Sequence, residues 1–417
     1  MKLYNALSQT LEPFAPGQEP VTIYVCGITP YDTTHLGHAF TYTAFDILIR
    51  YLEYQGRQVR YVQNVTDIDD DILRKAKEVG EDWQTLGNQW TAHFIRDMQA
   101  LNVRPPDHYP RATDVMPEII DSVQKLLAKE AAYESGGNVY FDVSAWPDYG
   151  QLSHIPAEDM LAVANQHGNR PDDPHKRQPL DFVLWQAQAP GEPAWESPWG
   201  MGRPGWHIEC STMSTILLGP TLDLHGGGAD LIFPHHESEI AQAEGVTGRR
   251  PFVRFWLHTA MVHHQGEKMS KSLGNLVMVR DLLQTWSADA LRLYLAQHHY
   301  RDVWSYSLAE LEQAETTVQQ WQAAVTALGG DGPVFPMSPA PPLFVEAMDN
   351  DLDTPTALRQ LDQLAAELIA AAHAGQNVAE AQRTFRVLGQ IFGLRFNAPE
   401  VETRVIEGWN EHLKRFI

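Results

Sequence analysis

Two cysteines, Cys26 and Cys210, are all that the 417 residues contain. So few thiols exclude a disulfide-stapled framework, and the plainest reading is a pair of buried free thiols. No run approaches the roughly 20 apolar residues of a membrane helix. The opening MKLYNALSQTLEPFAPGQ lacks a basic stretch followed by an apolar core, so no secretory leader is expected and the chain is placed in the cytoplasm. Internal repeats and low-complexity tracts are absent. Basic residues are scarce: 31 Lys and Arg stand against 53 Asp and Glu, a net charge of −22. That balance weighs against a broad phosphate-binding surface, while leaving room for a local basic patch.

What is present is ordinary globular composition, 43% hydrophobic and 20% charged, in a length that fits two or three domains. One stretch organises the chain, from Val21 to Asp71. Val21 to Val25 is a β-branched and aromatic run that predicts a buried strand. A loop with Gly27 and Pro30 follows. His35-Leu36-Gly37-His38 then opens a helix whose apolar face carries Phe40, Ala44, Ile47, Leu48 and Leu52, and Gly56 stops it. Val59 to Val65 predicts a second strand. The sum is a right-handed βαβ unit with its chemistry at the carboxyl ends of the strands and at a helix N-terminus, where backbone N–H groups favour anions.

Gly37 lets the chain approach a phosphate or an adenine ring. His35 and His38, three apart, can face one triphosphate. Far downstream, Lys268-Met269-Ser270-Lys271-Ser272 places two ammonium groups on a short loop, suited to clamping a pyrophosphate leaving group. Either motif alone is weak, since such a histidine pair also faces cores and such a lysine run is also a solvated loop. In this order on a βαβ frame, the two resemble the signatures of class I aminoacyl-tRNA synthetases. The resemblance implies activation of a carboxylate by ATP.

Along the chain, Ile68 to Val103 predicts one helix with Trp83, Leu86, Trp90, Phe94 and Met98 on one face. Met116 to Lys129 predicts another helix, and Asn138 to Val143 a strand. Residues 145 to 180, rich in Pro, Asp and Gly, predict an insertion on the main sheet. A helix begins near Trp206. Thr221 to Leu224 and Asp230 to Phe233 read as strand ends flanking Gly226-Gly227-Gly228, and Val253 to His258 as a further strand. Beyond about Trp286 the period becomes 3.6 and a helical bundle is expected. The fold class expected is α/β: a class I synthetase-type, Rossmann-like doubly wound parallel sheet with an insertion, then an α-helical C-terminal bundle. The expected division is 1–285 for the catalytic domain, with the insertion at about 105–200, and 286–417 for the helical domain, with no separate anticodon-reading domain.

Cys26 closes the first strand, Cys210 lies in WHIEC, and His235 and Glu239 lie in PHHESE. The i, i+4 spacing sets His235 and Glu239 on one helical face. Two thiolates, an imidazole and a carboxylate make a four-ligand zinc site. On spacing alone His236 and Glu237 serve equally well.

From Val21 to about Asp302 the chain closely resembles cysteinyl-tRNA synthetases. The resemblance rests on YVCGITPYDTTHLGHAFTYTAFDIL, YVQNVTDIDD, GRPGWHIECS, HGGGADLIFPHHESEIAQAE and GEKMSKSLGN. It implies one zinc ion held by Cys26, Cys210, His235 and Glu239, which selects cysteine by its thiol. It implies a cysteine pocket from Cys26, Asn64, Val65, Thr66 and Trp206, the last of which could otherwise be simple core. It implies ATP with Mg²⁺ over Cys26, Gly27, Ile28, Thr29, His35, Gly37, His38 and Thr41. Gly228, Ala229, Asp230 and Val262 would meet adenosine, and His35, His38, Lys268 and Lys271 would be catalytic.

The same core resembles a sister family, the mycothiol cysteine ligases, which join cysteine to the amine of glucosaminyl-inositol. Three features pull that way: the 161–181 segment, LAVANQHGNRPDDPHKRQPLD; the runs LAQHHYRDVWSY and DLDTPTAL; and an early stop at VIEGWNEHLKRFI without the basic, anticodon-reading segment usual in the tRNA enzymes. Glu239 pulls the other way, because that position is not acidic in the ligases. The expected partners are therefore ATP, L-cysteine and glucosaminyl-inositol, with tRNA as the alternative acceptor.

Overall fold

The computed structural model describes residues 1–17, 19–31, 34–269, 273–336, 340–396 and 399–417, with only the backbone of 399–404. Its centre is a four-stranded parallel sheet in the order Val253–Thr259, Leu222–Gly228, Val21–Ile28, Val59–Val65. The strands are apolar runs with little alternation, as a sheet covered on both faces requires. The helix Leu36–Tyr54 connects the two strands of the βαβ unit. His35 caps it, its side chain accepting from the Gly37 N–H, and Gly56 leaves it at φ 84°.

The three glycines lie inside the Leu222–Gly228 strand, not beside it, and Asp230 to Phe233 form short helical turns in place of the expected strand end. The reason is steric. A Cβ on Gly226 would stand 1.9 Å from the Leu257 carbonyl oxygen and 2.6 Å from the Phe45 ring. The single helix expected over 68–103 is two, Asp70–Val79 and Trp83–Ala100. Gly80 ends the first at φ 72°, and the Asp82 carboxylate caps the second through the Thr85 N–H. Those local signals set the break just before the apolar face that starts at Trp83.

The insertion does not extend the main sheet. It forms its own antiparallel sheet from Ala132–Ser135, Asn138–Phe141, Phe182–Ala187 and Gly202–Pro204, and carries the helix Ala157–Gln166. Glu237 ties it down, accepting from the Leu152 N–H at 3.0 Å and the Ser153 N–H at 2.9 Å.

The C-terminal part is helical, with long helices at Leu308–Thr326 and Thr354–His373. Its apolar core is continuous with that under the sheet, from Phe45 and Leu48 through Leu291 to Leu361 and Phe392. A wholly buried guanidinium joins the two: Arg292 donates to Asp46, to the Leu101 carbonyl at 2.9 Å and to the Phe392 carbonyl. Among the described residues no helix is long and apolar enough to cross a membrane.

Candidate active site and metal centre

The carboxyl ends of the four strands open into a cavity of about 1060 Å³, at the top of the range of ligand pockets. One wall is the first strand and the helix after it: Cys26, Gly27, Ile28, Thr29, His35, Gly37, His38 and Thr41. Gly228, Asp230 and Lys268 form a second side, and Trp206 the floor toward the cysteines. The insertion supplies the opposite wall, including Tyr140, His167, Asn169, Arg170, Asp173 and Lys176. The imidazoles of His35 and His38 stack with centroids 3.9 Å apart, so both present to one volume. Lys268 Nζ sits 3.3 Å from Asp230 Oδ2. Lys271 lies outside the described residues.

Five of the expected residues stand behind this surface. Asn64 is fully buried; its Oδ1 accepts from the Gly27 N–H at 2.8 Å and its Nδ2 donates to Thr66 Oγ1 at 3.2 Å. Thr66 in turn donates its N–H to the Ile28 carbonyl. These two hold the Gly27–Ile28 backbone in place. Gly27 could not be another residue there, since its Cβ would stand 1.5 Å from the Asn64 carbonyl oxygen. Val65 and Val262 are buried core, and Ala229 begins a short turn beside the wall.

At Cys26, where it meets the cavity floor, lies a buried polar cluster. Cys26, Cys210, His235 and Glu239 bring four ligand atoms within 4.8 Å of one another, all buried. Cys26 Sγ is 3.5 Å from both His235 Nε2 and Glu239 Oε1, and those two are 3.0 Å apart. Tetrahedral zinc with ordinary bond lengths spaces its ligands by roughly 3.3–3.8 Å. The electrostatics point the same way. A hydrogen bond from Cys26 draws the Cys210 thiol down to about 6, and burial pushes the Cys26 thiol up. Burial disfavours the Glu239 anion, but His225 and His235 outweigh it and hold the carboxyl at about 2. Burial also disfavours a charged His235, yet Glu239 and Cys210 raise it to about 9. Thiolate and carboxylate thus share a dry site that demands a cation, and a proton on His235 stands in for one. The donor set fits zinc.

The structure separates the alternatives that spacing left equal. Glu237 points to the insertion and is no part of the cluster. His236 is near it, 3.3 Å from Cys26 Sγ, and with His225 makes a second grouping around Cys26 and Glu239. That grouping holds one sulfur against two, and it faces away from the cavity: Trp256 stacks on His225. Trp206, which lines the cavity, stacks on His235 at 4.2 Å. His207, His225, His236 and His258 are further buried imidazoles beside the cluster, the first three in the quoted motifs but without a role assigned there. His207 meets His235 through Nδ1 at 2.9 Å, and His258 meets His236 at 2.8 Å.

Comparison with known proteins decides the family. Residues 13–316 match the family described as tRNA synthetases class I (C) catalytic domain, and residues 343–397 match the DALR domain. The chain belongs to the class I cysteinyl-tRNA synthetase family. It is an ATP-dependent cysteine ligase. A Cysteine--tRNA ligase of Dehalococcoides mccartyi is 46% identical over 409 residues, covering 97% of this chain and 88% of the relative. An L-cysteine:1D-myo-inositol 2-amino-2-deoxy-alpha-D-glucopyranoside ligase of Thermomonospora curvata is 44% identical over 387 residues, covering 92% and 91%. In fold the chain is similar to Mycobacterium tuberculosis methionyl-tRNA synthetase in complex with methionyl-adenylate, with TM-score 0.62, 17% identity, and 96% and 93% covered. It is also similar to a LeuRS-tRNA-LeuAMS complex of Agrobacterium radiobacter K84, with TM-score 0.64, 10% identity, and 95% and 86% covered.

Proposed function

We propose that this chain activates L-cysteine as the adenylate in the cavity described above and transfers it to the 3′-terminal ribose hydroxyl of a tRNA. The observation that carries the activation is one cavity bounded by His35, Gly37 and His38, by Lys268, and by Cys26. In it ATP lies over Gly37, with Asp230 accepting from ribose hydroxyls. The cysteine carboxylate attacks the α-phosphate in line. His35 and His38 donate to the phosphates, while Lys268, with Lys271, neutralises the departing pyrophosphate; Mg²⁺ accompanies the nucleotide. Zinc on Cys26, Cys210, His235 and Glu239, when bound, supplies a soft Lewis acid that prefers a thiolate to the hydroxyl of serine. Trp206 packs beside His235 and walls the side-chain pocket.

For the acceptor, the tRNA reading is supported by the 46% identity to the Dehalococcoides enzyme over nearly the whole chain and by Glu239 in the cage. In this reading residues 1–285 are the catalytic unit, with its insertion at about 105–200, and 286–417 the helical unit. A second reading, transfer to the amine of an amino-sugar such as glucosaminyl-inositol, is supported by the 44% identity to the Thermomonospora ligase, by the insertion residues from His167 to Lys176 that wall the cavity, and by the net charge of −22. The test offers both acceptors to one enzyme preparation. Cysteinyl-tRNA without amide product supports the first reading; amide with glucosaminyl-inositol and no charged tRNA replaces it by the second.

A further inference from the structure

The transfer step needs a proton acceptor, and the carboxylates around the cavity can be sorted by what already occupies them. Asp230 pairs with Lys268. Asp173 accepts from the Tyr140 hydroxyl at 2.8 Å. Asp70 is held between Arg203 and Arg170, and Asp71 pairs with Arg74 at 2.5 Å. Just outside the cavity, Asp67 accepts from the N–H and hydroxyl of Thr113, and Glu209 is sealed at 0% exposure.

Among the described residues Asp69 pairs with no cationic side chain, unlike Asp230, Asp70 and Asp71, and Asp173 accepts at both of its oxygens. It lines the cavity on the loop after the Val59–Val65 strand. Its Oδ1 accepts from the Asp71 N–H at 2.6 Å, capping the helix Asp70–Val79. Its Oδ2 accepts no hydrogen bond among the described residues. The cap fixes the carboxylate in place and leaves one oxygen for a ligand.

We propose, on the basis of the adenylate reading above, that Asp69 Oδ2 takes the proton of the acceptor's nucleophile during cysteinyl transfer. The acceptor's oxygen or nitrogen bonds to the adenylate carbonyl carbon, the bond from that carbon to the phosphate oxygen breaks, and AMP leaves with the electron pair. The nucleophile's proton passes to Asp69 and then to solvent. Burial pushes the carboxyl up to about 6; the Asp71 N–H bond and Arg203 oppose it, and the Asp71 and Asp70 carboxylates reinforce it, a suitable strength for a base near neutrality. Tyr31 and Glu209 are the other ionisable groups that feel its charge.

Asp69→Asn tests this, because asparagine caps a helix as well as aspartate does; Asp69→Ser repeats the test with a second capping residue. Three rates are compared: cysteine-dependent pyrophosphate exchange, hydroxamate formation with hydroxylamine, and single-turnover transfer to the acceptor. Hydroxylamine is nucleophilic enough to need no base. The expected result is exchange and hydroxamate within twofold of wild type and transfer slower by about 100-fold. Wild-type transfer rises with pH through about 6, and the variants lose that rise. Transfer within tenfold of wild type, or a parallel loss of exchange, overturns the proposal. Failure of the activation reading itself shows differently, as absence of cysteine-dependent exchange in the wild type.

Discussion

Lys268 Nζ stands 3.3 Å from Asp230 Oδ2, joining the segment expected to hold pyrophosphate to the carboxylate expected to hold ribose. Both side chains are about half exposed, so the pair adds little to stability. Bound nucleotide competes for each partner, ribose for the carboxylate and phosphate for the ammonium. Asp230→Ala should therefore raise the KM for ATP in pyrophosphate exchange by about tenfold, the scale of one hydrogen bond to a charged group, without moving the melting temperature. An unchanged KM removes Asp230 from the ribose site.

Arg292 and Asp46 form a buried ion pair that stitches the helical part to the sheet. Arg292→Met should lower the unfolding free energy by about 3 kcal/mol, because one charge is left buried with fewer partners. Burial opposes the Asp46 anion, but Arg50 and Arg292 outweigh it and hold the carboxyl below its ordinary value of 3.8. A depressed folded value means that this stability is present above about pH 4 and is lost as pH falls through the folded value. Urea titrations at pH 7 and pH 3 should show a wild-type loss on acidification that is smaller in the variant. An equal loss in both assigns the acid sensitivity elsewhere.

Glu237 and Glu239 are two residues apart in the sequence and have different work. Glu237→Ala strips the acceptor from two backbone N–H groups of the insertion, at about 1–3 kcal/mol each. It should lower the melting temperature and leave the metal content alone. Glu239→Ala should lower the metal content. The reverse pattern would exchange their roles.

The local parts of this architecture were legible in the chain. A β-branched run, a 3.6-period face and a stop at Gly56 define the βαβ unit because each signal acts within a few residues. The split at Gly80 and Asp82 was readable in the same terms, but the apolar face of Trp83 to Met98 was extended back over the shorter helix before it. The insertion's separate sheet was not legible, because the pairing of Phe141 with Phe182 joins segments far apart in the chain. The same holds at the site. Residue type and spacing left His236 and Glu237 as good as His235 and Glu239, and the set Cys26, Cys210, His235 and Glu239 came from the family resemblance; Asn64 and Thr66 lie beneath the cavity and not in its wall. In the sequence Asp69 is one of three acids in a row; only the structure shows that Arg203, Arg170 and Arg74 occupy the other two.

The central claim is that Cys26, Cys210, His235 and Glu239 hold one zinc ion that reads the thiol of the substrate. The most direct test is the metal content of purified wild type and Cys210→Ser, with cysteine-dependent pyrophosphate exchange measured on the same samples. The account predicts about one zinc per wild-type chain, and loss of both zinc and exchange in the variant. A Cys210→Ser protein that keeps stoichiometric zinc would contradict it.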